Sequence, residues 1–320
     1  MVMVLRLLGR RVISLVPLVL GIILFVFTVM QFSKTDPAVA VFADAPVSAD
    51  QLEQFRQEHG LNDPFFVKYF VFVGLVLQGQ LGKSLATGES VVNMISTALP
   101  LTLQLTFLGL VIALAVAFVL GTVSAIYRDR WADQLIRVVT LLGVAAPSFW
   151  IALLLVQWLA IDNPIFPSSR YINPGDSFSG WLQSMTLPAL SLAFPIAAQM
   201  TRIIRTSMVE ELDRDYVRTA RGGGLHPVVV VGRNVLRNAL INPLNVLGLR
   251  IGYLMGGAVV IEQMFNLPGM GQVMIEGVKN NEPAIVQGAV LTIALGFVVI
   301  NLVVDILSMI ANPKLRSHTA

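Results

Sequence analysis

Residues 98–126 read ALPLTLQLTFLGLVIALAVAFVLGTVSAI, and none of these positions is Asp, Glu, Lys or Arg. A bilayer core is crossed by about 20 apolar residues in helical form, so Ala98–Ile126 predicts a membrane-spanning helix. Working outward, five further stretches are strongly apolar: Val12–Phe32, Val138–Ile161, Met185–Thr201, Asn238–Ile261 and Pro283–Val304. Of the six, only Asn238–Ile261 holds a charged residue, Arg250. Met185–Thr201 is the shortest and is interrupted by Pro188 and Pro195. Composition agrees, with 55% of residues hydrophobic, 13% charged and a mean hydropathy of +0.75. Soluble domains carry about a quarter charged residues, so a large water-solvated protein is excluded.

The first stretch follows Arg6, Arg10 and Arg11. It is longer than the ~7–15 residue core of a signal peptide and ends without a small-residue cleavage pattern, so a retained helix is expected. A seventh apolar run, Pro64–Leu77, is too short to span and contains Lys68; it suits an interfacial or re-entrant helix. With six spans, fifteen Lys and Arg residues fall on the side of the two termini and six on the other. A crossing by Pro64–Leu77 would reverse that bias. The positive-inside rule therefore predicts six spans with both termini cytoplasmic. The expected division is an N-terminal helix at 1–32, an extracytoplasmic segment at 33–97, a membrane core at 98–310 and a cytoplasmic tail at 311–320.

The extracytoplasmic segment carries its own start and stop signals. Ser48-Ala49-Asp50-Gln51 has capping-box spacing, His59-Gly60 reads as a helix stop, and Asn62-Asp63-Pro64 reads as a second start. Two short helices are expected there. Gly82-Lys83-Ser84 resembles the end of a phosphate-binding loop, but Leu77 stands where that motif needs glycine. No nucleotide site and no catalytic residue is expected in this chain, so any ATP hydrolysis would belong to a partner. The absence of cysteine and the wide separation of His59, His226 and His318 leave no metal site to expect.

In the fifth stretch Gly248, Gly252 and Gly256 recur every four residues, a stripe that lets neighbouring backbone approach closely. Arg250 lies in the same stretch. A centrally placed arginine costs about 2.5–3.5 kcal/mol in a bilayer, so it faces a cavity, a partner or a carboxylate rather than lipid. Arg250, Asn245 and Gln199 are the candidate translocation-path residues.

The loop between the fourth and fifth stretches is the most charged part of the chain. Glu210, Glu211, Asp213 and Asp215 precede Arg218 and Arg221, and Gly222-Gly223-Gly224 follows. Acid before base suits the helix dipole, and glycine ends a helix. This describes a short mixed-charge helix, within a loop at 209–232, rather than a polybasic lipid-binding loop.

Asp215-Tyr216-Val217-Arg218-Thr219-Ala220-Arg221, then Gly224-Leu225 and Leu236-Arg237-Asn238-Ala239-Leu240, resembles the EAA loop of ABC importer permeases of the dipeptide and oligopeptide family. The resemblance runs along nearly the whole chain. It includes Arg10-Arg11, Asp36-Pro37, Leu61-x-x-Pro64, Gly79-x-Leu81-Gly82-x-Ser84, Pro147-x-Phe149 and Leu187-Pro188. It continues through Gly257-Ala258-Val259, Glu262, Pro268-Gly269-x-Gly271, Asn301-Leu302-x-x-Asp305 and Asn312-Pro313-x-x-Arg316. The chain departs from the family pattern at Gln80, Gly222-Gly223, Asn242 and Arg250.

The resemblance implies an all-α integral membrane protein with six transmembrane helices, the type I ABC importer permease fold, carrying an extracytoplasmic helical insertion after the first span. It implies a second homologous permease, two ATP-binding subunits and an extracytoplasmic substrate-binding protein as partners, with ATP and Mg bound in the partners. Asp215, Tyr216, Arg218, Thr219, Ala220, Arg221, Gly224 and Leu225 would form the ATPase-coupling helix. Its substrates would be dipeptides or oligopeptides, with nickel, glutathione or oligosaccharides as alternatives within the class. A different class, an ATP-independent transporter or channel, has only Arg250 within a span and Asp305 at a span's end to build an ion relay. An intramembrane enzyme lacks a nucleophile–base pair. The Gly222-Gly223 departure further predicts that the coupling helix ends earlier than in its relatives, without running on through Gly224.

Overall fold

A computed structural model of the chain describes residues 17–30, 36–42 and 47–311, and leaves the side chains at 245, 249 and 305–311 outside that description. Arg6, Arg10, Arg11, the first residues of the Val12–Phe32 stretch, its Gln31-Phe32 end and the tail after residue 311 also lie outside it. The described residues are mostly helical. In order the helices are α1 (Pro17–Met30), α2 (Pro37–Val41), α3 (Ala49–Glu58), α4 (Phe65–Leu77) and α5 (Val91–Ile126). Then come α6 (Trp131–Ala145), α7 (Ser148–Val156) with a wider π turn at Gln157–Asp162, and α8 (Phe178–Leu212). The rest are α9 (Asp215–Gly222), α10 (Pro227–Val229) with a π turn at Val230–Val235, α11 (Leu236–Ala239), α12 (Ile241–Met264), α13 (Met270–Lys279) and α14 (Pro283–Ala311).

Among the described residues, four helices are long and apolar enough to cross a membrane: α5, α8, Val246–Met264 within α12 and Pro283–Val304 within α14. The expected third span, Val138–Ile161, is not one rod. Its residues fall in α6 and in α7 with its π turn, which are bent by 104° and make a fifth crossing if read as one broken span. The break is at Ala146, whose φ of −78° and ψ of 124° are extended, because Pro147 disfavours helical backbone in the residue before it. The fourth stretch departs the other way. Expected to be short and interrupted, it is part of the continuous 35-residue α8, with Pro188 and Pro195 inside. Both prolines are buried, and a membrane helix tolerates proline where neighbours and side chains satisfy the freed carbonyl.

The chain divides into two compact units. The first comprises residues 1–102 and 268–298. Among the described residues, its segment between α1 and α5 holds three helices where two were expected, α2 being the addition. Ser48 and Gln51 form the anticipated reciprocal cap of α3. That helix ends at Glu58, with Gly60 at φ 63°, and α4 begins one residue later than the Pro64 start signal. Asp36 caps α2 by accepting from the Ala38 amide at 2.9 Å and also accepts from Arg56 Nε of α3 at 2.8 Å. Phe27 of α1 meets Phe65 and Tyr69 of α4 edge-on at 5.1 and 5.7 Å and stacks with Phe72. A second core joins Val91, Ile95 and Ala98 of α5 to Met270, Ile285 and Ala289.

One carboxylate in this unit organises a loop far from it in sequence. Glu282 is 2% exposed. Its oxygens accept from Ser84 Oγ at 2.7 Å, the Leu85 amide at 2.7 Å and the Ala86 amide at 3.1 Å. Gly82-Lys83-Ser84, which superficially resembled a phosphate loop, therefore belongs to a pinned turn.

The second unit comprises residues 103–267 and 299–320. Helix α8 is its axis, packing against α6, α7, α11 and α12. Of its most apolar window 72% is buried, against 28% for α5. Close approach rests on small residues. A Cβ on Gly121 of α5 would lie 2.8 Å from Ile204, and one on Gly143 of α6 would lie 2.8 Å from Ala198. Between α6 and α8, Asp133 is fully buried and Arg205 bonds it twice, Nε to Oδ1 at 2.7 Å and Nη2 to Oδ2 at 2.6 Å. Ser124 Oγ and the Asp129 amide supply its remaining bonds, at 2.5 and 3.0 Å.

Candidate coupling site

Helix α8 ends at Leu212, and only Asp213 and Arg214 separate it from α9. Arg128, in the turn after α5, holds that junction through Asp213 at 2.8 Å. Asp215 opens α9 and Arg221 closes it, the charge order that the helix dipole favours. Two bonds end the helix: the Gly224 amide donates to the Arg221 carbonyl, and the Leu225 amide to the Ala220 carbonyl. With Gly224 at φ 78°, this is a Schellman stop, whose left-handed residue is usually glycine. The helix thus ends at Gly222 and does not run through Gly224.

Val217 anchors α9 as its one buried residue. The helix packs against the π turn, where Val230 and Val235 are also buried. Tyr216 fixes it from a second direction. Its hydroxyl donates to Glu211 Oε2 of α8 at 2.6 Å and accepts from Asn238 Nδ2 of α11 at 3.3 Å. Burial first, and the Glu211 bond second, push the phenol above its ordinary pKa, which keeps the donating proton in place. Sequence reasoning had not assigned Glu211 or Asn238 as partners of Tyr216. Both stood in the quoted loop, but their convergence depends on the chain returning through α11.

Apart from Ala220, the remaining coupling residues face outward. Arg218 and Asp215 pair at 3.7 Å with side chains 76% and 98% exposed, and such a pair adds at most about 1 kcal/mol to the fold. Thr219 Oγ1 bonds back to the Asp215 carbonyl at 3.1 Å, Ala220 is half-buried, Arg221 is exposed and Leu225 is exposed. The outer face is charged, pre-ordered and contributes little to the chain's own packing.

The path candidates lie elsewhere in the unit. Arg250 and Gln199 are half-buried, and Arg250 Nε and Gln199 Oε1 are buried with no hydrogen-bond partner among the described residues. The side chain of Asn245 lies outside the described residues. Of the glycine stripe, Gly248 meets Asn301 and Val304 of α14, Gly252 is half-buried, and a Cβ on Gly256 would meet nothing within 4 Å.

The described chain thus combines apolar helices of membrane-crossing length with a short charged helix beside them. Residues 117–317 match the family described as "Binding-protein-dependent transport system inner membrane component". Residues 4–106 match the N-terminal domain of such membrane components. The chain belongs to this family of ABC importer permeases, as the resemblance implied. It is 36% identical over 307 residues to a protein named "Putative peptide transport system permease protein" in Brucella abortus (strain 2308), covering 96% of this chain and 98% of that one. A protein of the same name in Brucella suis biovar 1 shares the same identity. The "Glutathione transport system permease protein GsiC" of Escherichia coli (strain K12) is 32% identical, covering 96% of this chain and 97% of its own.

Proposed function

We propose that this permease carries short peptides inward through the cytoplasmic membrane, with both termini cytoplasmic, as one half of a path shared with a second homologous permease. The observation that carries the reading is α9, a firmly stopped helix whose charges remain exposed while Val217 is buried and Tyr216 ties it to α8 and α11. In this reading α9 seats in one of two ATP-binding subunits. ATP and Mg reside in those subunits, and this chain holds no cofactor and hydrolyses nothing. Closure of the ATPases moves α9 as a rigid body and tilts the spans between outward-open and inward-open states. The segment 33–97 seats an extracytoplasmic binding protein. Peptide as substrate is supported by the names of the Brucella relatives, and glutathione, a tripeptide, is of the same chemistry.

Arg218→Glu and Gly224→Val test the coupling role. Each is expected to reduce copurification of the ATP-binding subunits at least fivefold and to abolish ATP-driven uptake, while the permease still reaches the membrane. Retained copurification and uptake in both variants would overturn it.

A further inference from the structure

Within the second unit α8 and α12 run antiparallel in a register fixed by two contacts. Asn242 Nδ2 donates to Ser207 Oγ at 3.3 Å, and a Cβ on Gly257 would lie 3.2 Å from Leu192 Cδ1. Gln199 and Arg250 are each eight residues from the first contact and seven from the second, so they stand at the same level of the two helices. Among the described residues they are also the ones on α8 and α12 with a buried polar side-chain atom that has no partner. Gln199 lies six residues before Arg205, about 9 Å of helix, which puts the pair inside the spans toward the α9 end.

Arg250 shares a helix face with Gly257, on the α8 seam, and with Tyr253 three residues on. Tyr253 begins an uncovered stripe that continues through Gly256 and Val260. The guanidinium therefore stands at the edge of a packed seam, beside surface that this chain does not cover. No described carboxylate of the unit reaches it. Asp133 is fully engaged by Arg205, Ser124 and Asp129, and Glu262 lies twelve residues along the same helix, about 18 Å away.

We propose that Arg250 and Gln199 form a recognition point within the path for a carboxylate and an adjacent N–H of the transported molecule. The guanidinium is a planar fork that matches a carboxylate with two parallel bonds. The Gln199 oxygen accepts the neighbouring N–H. The terminus of a peptide presents both groups side by side, which is the combination the pair leaves unsatisfied. The inference rests on the peptide reading of the preceding section and assigns that path a preference for free acids.

The test uses the full importer, with its second permease, ATP-binding subunits and binding protein, in proteoliposomes. Uptake of trialanine is compared with trialanine amide, and of reduced glutathione with its diethyl ester. Arg250→Gln is expected to lower uptake of the free acids at least tenfold and of the capped forms less than threefold. Arg250→Lys should fall between, because it keeps charge without the fork. Gln199→Leu should lower free-acid uptake more than threefold. Copurification of the partner subunits reports assembly in each variant. An equal fall for free and capped forms in Arg250→Gln overturns the proposal, and the same fall in Asp305→Asn assigns Arg250 to an internal ion pair. A wild-type importer that moves neither free acid under ATP overturns the peptide reading itself, a result separable from loss of selectivity.

Discussion

At the residue scale, the burial of Asp133 has the largest energetic leverage. Its carboxylate is fully enclosed and its partner Arg205 is 20% exposed, so removing one member strands the other. Breaking such a pair costs about 3–5 kcal/mol. Asp133→Asn is expected to lower the thermal midpoint of the detergent-solubilised chain by several degrees, and Ser124→Ala by much less, about 1 kcal/mol for one lost bond. Addition of Arg205→Gln to Asp133→Asn should recover part of the loss. Differential scanning fluorimetry checks all three. None of this was legible in the sequence, where Asp133 stood in a loop between spans and Arg205 only contributed to orientation. The two are 72 residues apart, and hydropathy carries no information on pairing at that range. Tyr216 gives a smaller effect. Tyr216→Phe removes the bonds to Glu211 and Asn238 and should destabilise α9 by about 1 kcal/mol, read as faster amide exchange at Val217 and Arg218 without loss of the helices in the membrane.

At the scale of elements, the second unit is assembled by close contact onto α8. Gly121→Val would drive a side chain into Ile204 and the Thr201 carbonyl, both at 3.0 Å or less from an added Cβ. Overpacking of this kind costs about 1–3 kcal/mol, so the folded yield should fall sharply. Gly232→Ala, where a Cβ meets nothing within 4 Å, should leave it unchanged; size-exclusion chromatography of a fluorescent fusion measures both. The sequence identified the apolar stretches, the capping box of α3 and the stop of α9, because each is written in neighbouring residues. It misjudged two of the stretches that contain proline, Val138–Ile161 and Met185–Thr201. Pro147 breaks its helix and Pro188 and Pro195 do not, and the difference lies in packing. The α8 prolines sit in the most enclosed helix of the unit, whereas Pro147 follows a residue free to extend. The charged helix was legible for the same local reason, and its tie to α11 was hidden for the opposite one.

For the whole molecule, the division into two units does not follow the chain. Residues 268–298 join the N-terminal segment, although 165 residues separate the two pieces. Glu282 is the clearest link between those pieces, 196–198 residues from the groups it holds. Glu282→Ala is expected to accelerate amide exchange at Leu85 and Ala86 at least tenfold, and Glu282→Gln by less, since one acceptor oxygen survives. Unchanged exchange in both would show that the turn holds itself.

That link also sets a clock on biosynthesis. A ribosome adds about 5–20 residues per second, so the turn at Ser84–Ala86 is made roughly 10–40 seconds before the carboxylate that secures it. During that interval two amides and a hydroxyl must be satisfied by water or by a chaperone, and the nascent segment stays open to proteases. Ribosome-stalled chains ending before residue 282 should therefore be cut in this turn, whereas chains long enough to release Glu282 from the translocon should resist.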